Sequence, residues 1–393
     1  MKRLLSIFFI LNLFFINLTI KGIEITTIEN TYVEGTSNEE SIETDTLNLI
    51  PNSQAGILIE RETGKILFEK DMNHRLAPAS MTKIMTLLLV YEALDNNILN
   101  KDSVLTVDEY SASIGGSQVY LKVGEKITVD EALKCVCIAS ANDCATLLGV
   151  NISGSIEGFI NKMNEKVELL GLKNTHFSDC TGLSNKDHYS SAYDMAIIAK
   201  ELVTKYPDIF NYTSIKEDYI RKDTDSPFWL VNTNKLIGRV EGIDGLKTGY
   251  CSFSGYNITL HMSQNGMSLI SVVFGYKDSK TRNSESLELL RYGFSNYELK
   301  VLLKKDTLLE EIKSPQYKYP IRILVKNDIY VLIKKNEEID YTYDYEYNLD
   351  DYLEGKAYVY VNNKTLEGEI YTDSIIEKRN LFEIMGYLIM NSI

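Results

Sequence analysis

The segment from Ser80 to Leu94, SMTKIMTLLLVYEAL, constrains the fold most. It follows Pro78, and Lys83 and Glu92 are its only charges. The pattern predicts a helix, and one that is apolar on most of its sides belongs in the middle of a domain. The rest of the chain must therefore supply layers to wrap it. Upstream, QAGILIE, RETG and KILFEK read as a β-hairpin. Downstream, an apolar segment between Asp130 and Val150 contains CIASANDCATLLGV, and SIEGFINKMNEKVELLGL is an amphipathic helix ending near Gly171. SAYDMAIIAKELV is a further helix, MSLISVVFGY a buried strand and SESLELLRYGF a helix after it. Strands at both ends with helices between them predict a sheet flanked by helices, an α/β (α+β) domain over residues 51–298.

The chain has 393 residues, enough for a second domain. From residue 299 to 372 helical periodicity gives way to strand patterns, YPIRILVK, IYVLIKK and KAYVYVNN, which predict a small all-β domain. YTYDYEY alternates as a half-exposed strand does, so its tyrosines read as sheet surface rather than a sugar platform. Residues 373–393 are helical again: Leu381, Ile384, Met385 and Leu388 share one face, extended by Phe382 and Ile389. Two readings stay open here, a helix lying flat on a membrane and a helix packed on the β domain.

At the other end, Lys2 and Arg3 precede a nearly all-apolar run from Leu4 to Ile20, the layout of an export signal over residues 1–22 or, lacking a clear cleavage site, of an uncleaved anchor. Residues 23–50 read as a flexible acidic linker. The rest of the chain is thus expected outside the cytoplasm, at the outer face of the membrane or in the cell wall. A net charge of −14 with no basic cluster excludes a nucleic-acid partner. Cys135, Cys137, Cys144, Cys180 and Cys251 are an odd number, and C-x-C without further ligands nearby is a weak metal signal; buried free thiols are the preferred reading.

Ser80 and Lys83 stand three apart, which puts both on one face of a helix. A serine hydroxyl needs a base, and a lysine serves only if burial or nearby positive charge lowers its pKa. Alone the pair is weak, because serine commonly caps helices. Two further motifs change this. SAND, Ser140 to Asp143, offers a second hydroxyl and an amide; KTG, Lys247 to Gly249, offers a cation, a hydroxyl and a glycine that admits a substrate backbone. S-x-x-K, S-x-N and K-T-G in that order form the set shared by penicillin-binding proteins and class A β-lactamases.

On these residues the chain resembles the low-molecular-mass penicillin-binding proteins, the serine-type D-alanyl-D-alanine carboxypeptidases of peptidase family S11. The likeness runs from about Asn52 to Tyr297 and takes in GGSQVYLKVGEKITVDEAL, GLKNTHFSDCTGL, HYSSAYDMA and ISVVFGYKDSKTRNSESLELLRYGF. It implies a transpeptidase-like catalytic domain followed by a β domain and a membrane-attaching helix. It also implies roles. Ser80 attacks the carbonyl between two D-alanines and is acylated, by penicillin too. Lys83, neutral at rest, accepts its proton. Ser140 relays a proton to the leaving D-alanine, tuned by Lys247. Asn142 bonds the donor peptide and braces Lys83. The amides of Ser80 and Tyr250 form an oxyanion hole, and Thr248 and Arg282 hold the terminal carboxylate, the alternative for Arg282 being a surface ion pair with Glu285 or Glu288. The partners implied are a peptidoglycan stem peptide ending in D-Ala-D-Ala, β-lactams as inhibitors and a membrane surface; no metal and no organic cofactor is implied.

Some positions depart from the family. Tyr250 stands where many relatives carry a small or imidazole side chain, and Tyr193 where some carry arginine. Cys144 and Cys251 lie close to motif residues. His74, His176, His188 and His261 form no Ser-His-Asp set and there is no G-x-S-x-G elbow. A β-lactamase would need a second base between S-x-N and K-T-G, but EKVELLGLKNTHF lacks Glu-x-x-Leu-Asn, and Glu165 and Glu168 read as exposed helix residues. A non-catalytic sensor would be acylated yet release no D-alanine.

Overall fold

The computed structural model describes residues 47–183 and 187–391. The amino-terminal apolar run and most of the acidic linker lie outside them. Strand β1 (Ala55–Glu60) pairs with β2 (Ile66–Lys70), and a one-turn 3₁₀ segment (Ala79–Thr82) leads into helix α1 (Lys83–Asp95). A ribbon, β3 (Val104–Thr106) and β4 (Lys126–Thr128), brackets α2 (Glu109–Ser113). Helix α3 (Val129–Lys134) runs into a π turn (Cys135–Ala139), and α4 (Asn142–Ser153), α5 (Ile156–Leu169), α6 (Ala192–Lys205) and α7 (Phe210–Thr213) complete the helical layer. The hairpin β5 (Glu217–Ile220) and β6 (Phe228–Val231) precedes three long strands, β7 (Ile243–Cys251), β8 (Gly255–Gln264) and β9 (Met267–Tyr276), then helix α8 (Ser279–Asn296).

The central sheet is antiparallel throughout, in the order β2-β1-β9-β8-β7. Successive side chains of a strand point to opposite faces, and β1 divides accordingly. Ile57 and Ile59 join Ile270, Val272 and Phe274 beneath α1 and α6, while Leu58 joins Leu269, Leu260 and Val273 under Leu289, Leu290 and Phe294 of α8. All six residues of β1 are buried, as a strand covered on both faces requires. Helix α1 is buried from Lys83 through Tyr91 and again at Ala93, the central helix its composition demanded.

Beyond α8 the chain is strands: β10 (Tyr297–Leu303), β11 (Leu308–Ile312), β12 (Ile321–Val325), β13 (Ile329–Lys334), β14 (Tyr341–Leu349), β15 (Leu353–Val361) and β16 (Lys364–Tyr371). They form a five-stranded sheet, β11-β12-β16-β15-β14, and a ribbon, β10-β13. Leu302, Ile323, Val325, Ala357 and Val359 centre its small core. The ribbon joins this core to the catalytic layers, since Tyr297 and Leu332 pack with the α8 cluster. The YTYDYEY tyrosines lie on β14 with Tyr341 and Tyr343 exposed, so the sheet-surface reading fits. Helix α9 (Leu381–Met390) has no buried residue. Of the two readings of this segment, packing on the β domain is therefore not what the structure shows.

Candidate active site

Three segments meet at Ser80. The first is the turn that carries it. Ser80 does not cap the α-helix: it sits inside the 3₁₀ segment, whose N-cap is Pro78, and α1 begins at Lys83. Its hydroxyl is free of the capping role and accepts instead from Lys83, Nζ to Oγ 3.1 Å. The preceding residue, Ala79, has φ +48, a left-handed conformation that costs an alanine energy and that the surroundings must hold. Two glycines do so. A β-carbon on Gly182 would overlap the Ala79 carbonyl, and one on Gly249 would lie 2.6 Å from the Pro78 oxygen. The glycine of KTG therefore makes room for the Ser80 turn, a structural demand beside the substrate approach expected of it. Asn257 and Ser254 fix the turn from below by donating to the Ala77 carbonyl at 3.1 and 2.6 Å.

The second segment is the turn after the π helix. Ser140 has φ +61 and ψ +32, again left-handed, and opens the way into α4 with Asn142 as its first residue. π turns gather at functional sites. Here the turn aims two atoms inward: Ser140 Oγ and Asn142 Oδ1 are buried and have no hydrogen-bond partner among the described residues. The resemblance has Asn142 brace Lys83; among the described residues no hydrogen bond joins the two, and Asn142 Oδ1 is left open. Its amide nitrogen donates to the Gly115 carbonyl at 2.7 Å, and its backbone N–H to Ser117 O at 2.7 Å. The adjacent Asp143, 1% exposed, accepts from the amides of Val119 and Leu121 at 3.1 Å each. SAND thus orders the GGSQVYL loop as well as presenting a hydroxyl.

The third segment is β7, the edge strand of the central sheet, with Lys247, Thr248, Gly249 and Tyr250 in succession. Lys247 is 1% exposed and donates to its neighbour's carbonyl, Thr248 O, at 3.0 Å. Thr248 Oγ1 donates to Thr233 Oγ1 at 2.9 Å, and the Thr233 amide to Ile138 O, linking β7 to the π turn. Tyr250 is 60% exposed, its ring 4.5 Å from that of Tyr256, so it stands at the mouth of the site and not within it. Arg282 comes from α8, whose Asp278 cap fixes the first turn through the amides of Lys280 and Thr281. It is buried and donates to Asn257 O at 3.2 Å and to Asn283 Oδ1. The surface ion pair is not formed: Glu285 bonds Asn52 and Glu288 pairs with Arg291.

Electrostatics follow from burial. Lys83 is wholly buried, and desolvation pulls its pKa down to about 8 against the opposing pull of Cys180, Asp179 and Asp143. Lys247 is depressed well below the ordinary lysine value, first by burial and then by the facing charges of Lys83 and Arg282. Burial brings Arg282 down to about 10. Two ammonium groups in one dry site disfavour being charged together. Burial thus favours the neutral amine of Lys83, the direction a general base requires.

Sequence reasoning missed the group that holds Lys83. The Thr181 carbonyl accepts from its Nζ at 2.8 Å. Asp179 shapes that turn by accepting from Thr181 N at 2.6 Å, Thr181 Oγ1 at 2.8 Å and Gly182 N at 2.6 Å. Burial raises its carboxyl, but His188 and these donors outweigh that and hold it below the usual range. A backbone carbonyl has no residue code; the only signal was the stretch GLKNTHFSDCTGL as a whole. Thr233 and Asn257 were likewise unmarked. Tyr193, half-buried, packs against the helical core. All five cysteines are free thiols, four buried and Cys251 partly so, as preferred from the sequence. Glu165 and Glu168 are exposed on α5, away from the role a lactamase would need.

Comparison with known proteins agrees with this geometry. A family model described as D-alanyl-D-alanine carboxypeptidase, peptidase S11, matches residues 43–278. D-alanyl-D-alanine carboxypeptidase DacF of Bacillus subtilis is 46% identical over 296 residues, covering 75% of this chain and 76% of its own. Penicillin binding protein 5 from Haemophilus influenzae superposes with a TM-score of 0.69 at 28% identity, over 84% of this chain and 98% of its own. Penicillin-binding protein D2 from Listeria monocytogenes in its ampicillin-bound form gives 0.56 at 28% identity, over 62% and 98%.

Proposed function

The chain belongs to the D-alanyl-D-alanine carboxypeptidase family, peptidase S11, and from that premise we propose how its own residues divide the work. The activity is that of a serine-type D-Ala-D-Ala carboxypeptidase that binds penicillin and acts on peptidoglycan stem peptides, outside the cytoplasm. Ser80 is the nucleophile and Lys83 its base. One observation carries this assignment: a wholly buried Lys83 lies 3.1 Å from Ser80 Oγ with its pKa drawn down to about 8. The Ser80 oxygen adds to the terminal peptide carbonyl, and its proton passes to Lys83 Nζ. The N–H groups of Ser80 and Tyr250 receive the oxyanion; the contact of Gly249 with the Ser80 turn supports that pairing. Ser140, whose hydroxyl has no partner among the described residues, returns a proton to the departing D-alanine amine, tuned by Lys247. Asn142 offers Oδ1 to the acyl-donor amide. Thr248 and Arg282 receive the free carboxylate, since Arg282 is buried with no carboxylate partner among the described residues. Water then attacks the acyl ester and frees Ser80.

Residues 299–372 serve as a spacer that carries α9. We assign α9 to a membrane surface, because Leu381, Phe382, Met385 and Met390 are each more than half exposed. Its flanking cations are already engaged: Lys378 with Asp350 and Asp351, Arg379 with the carbonyls of Pro315, Tyr317 and Lys318 and over the Tyr387 ring. Attachment through α9 is therefore apolar, and with a net charge of −14 the chain should bind anionic vesicles no better than neutral ones. The run from Leu4 to Ile20 behind Lys2 and Arg3 supports export.

The decisive experiment incubates the purified chain with a pentapeptide ending in D-Ala-D-Ala and with penicillin. Release of D-alanine, and a penicilloyl adduct on Ser80 absent from Ser80→Ala, are expected. An adduct without D-alanine release would make the protein a sensor, and rapid penicillin turnover a β-lactamase.

A further inference from the structure

His188 belongs to none of the three motifs, yet it touches both ends of the apparatus that holds Lys83. It is 2% exposed. Its Nδ1 accepts from the Ser178 amide at 3.1 Å. A ring nitrogen that accepts carries no proton, so the ring is neutral with its hydrogen on Nε2, which donates to Thr82 Oγ1 at 2.7 Å. Thr82 immediately precedes Lys83; Ser178 and Asp179 open the turn whose Thr181 carbonyl receives Lys83 Nζ. One imidazole thus clips the start of α1 to the turn that aims the base. Asp179 Oδ2 stands 3.5 Å from Nδ1, near but unused while the Ser178 amide occupies it.

We propose that His188 is a positioning residue for Lys83: its neutral ring locks the Thr82 and Ser178 segments together, and on protonation Nδ1–H abandons the Ser178 amide for Asp179, loosening the Thr181 carbonyl and halting acylation. This rests on Lys83 being the base. The groups facing the ring are Asp179 from its own turn, His176 from the bridge that pairs it with Tyr189, Lys83 from α1 and the apolar ring of Phe177 at 5.6 Å. Burial pushes the imidazole below its ordinary value; Asp179 opposes this, and His176 and Lys83 reinforce it. The ring is therefore neutral at neutral pH and takes up its proton only below the ordinary histidine value.

The test is the rate of acylation by a fluorescent penicillin from about pH 4.5 to about pH 9, which spans both groups. In the wild type the logarithm of the rate should fall with a slope of about one below the Lys83 pKa, steepening to about two once His188 takes up its proton. His188→Gln keeps an acceptor for Ser178 and a donor for Thr82 but cannot titrate. It should stay within about threefold of wild type near pH 8 and hold a slope of about one throughout. His188→Ala should lose about tenfold or more across the range, because the base is misplaced. Asp179→Asn keeps an accepting oxygen while removing the charge that favours the imidazolium, and should move the steepening to lower pH. A ring titration by NMR in the wild type should coincide with the steepening. Identical steepening in His188→Gln, or wild-type rates in His188→Ala, would overturn the proposal. A wild type that is never acylated would instead overturn the assignment of Ser80 and Lys83.

Discussion

Around Ser80, charge is buried: Lys83, Asp143, Lys247 and Arg282 are none of them more than 4% exposed. In the strands from Tyr297 to Tyr371 it lies on the surface, in pairs such as Lys326–Glu369 and Lys356–Glu367 at 2.5 Å. Exposed pairs contribute little to stability, so the C-terminal sheet stands on its apolar centre, Leu302, Ile323, Val325, Ala357 and Val359. The catalytic region does the reverse. It spends stability on dry ammonium groups and on left-handed Ala79 and Ser140, and holds them with a thick two-faced core. Reactivity and stability are thus drawn from different parts of the chain.

Ser80→Ala should deepen the contrast most, abolishing acylation while leaving the melting temperature near wild type. Mass spectrometry of the penicillin adduct and a thermal scan measure both; a large fall in melting temperature would mean that Ser80 is structural. Next, Arg282→Gln removes the buried cation proposed to receive the substrate carboxylate. A loss of roughly 10–100-fold in kcat/KM for the peptide, mostly in KM, is expected from steady-state kinetics. An unchanged KM would return Arg282 to a packing role.

The pH dependence comes third. Because burial depresses Lys83 to about 8, and on the proposal that it acts as a neutral base, acylation should fall about tenfold for each pH unit below that value until His188 takes up its proton, and more steeply beyond. The same shift links to stability. Between pH 8 and the ordinary lysine value the unfolded chain binds more protons than the folded one, so stability should rise with pH in that window. Lys83→Met should therefore melt higher at neutral pH while failing to acylate. A flat acylation profile, or a lower melting temperature for Lys83→Met, would count against a depressed Lys83.

Gly249→Ala tests the clamp on the Ser80 turn. Its β-carbon would face the Pro78 oxygen at 2.6 Å, and the displaced turn should acylate about tenfold more slowly. Wild-type acylation would leave this glycine to serve substrate alone. The smallest effect on chemistry should come from Ile323→Ala in the C-terminal sheet. It should cost about 2–5 kcal/mol of that region's stability in urea unfolding, yet acylation should stay within about twofold. Loss of both would erase the division between the regions.

Much of this was legible beforehand. QAGILIE announced a strand of a hairpin and the run after Lys83 a buried helix, because hydrophobic periodicity is written residue by residue. Ser80, Ser140, Lys247 and Arg282 were named from motif order and resemblance, and the structure brings their segments together. What escaped was whatever works through backbone or conformation. Thr181 contributes a carbonyl that any residue has, Gly249 contributes the lack of a β-carbon toward Pro78, and Asn142 donates to the Gly115 carbonyl. His188 shows the same limit, since its partners Thr82 and Ser178 are side chain and amide brought close only by folding.

The sequence by itself determined which elements form and which side chains carry chemistry, since apolar period, caps and motif spacing are local properties. Only the tertiary structure decided what those side chains can do. The pKa of Lys83, the burial of Arg282 and the orientation of Ser140 depend on what water is excluded and which chain segments close over them, and burial is set by the whole fold.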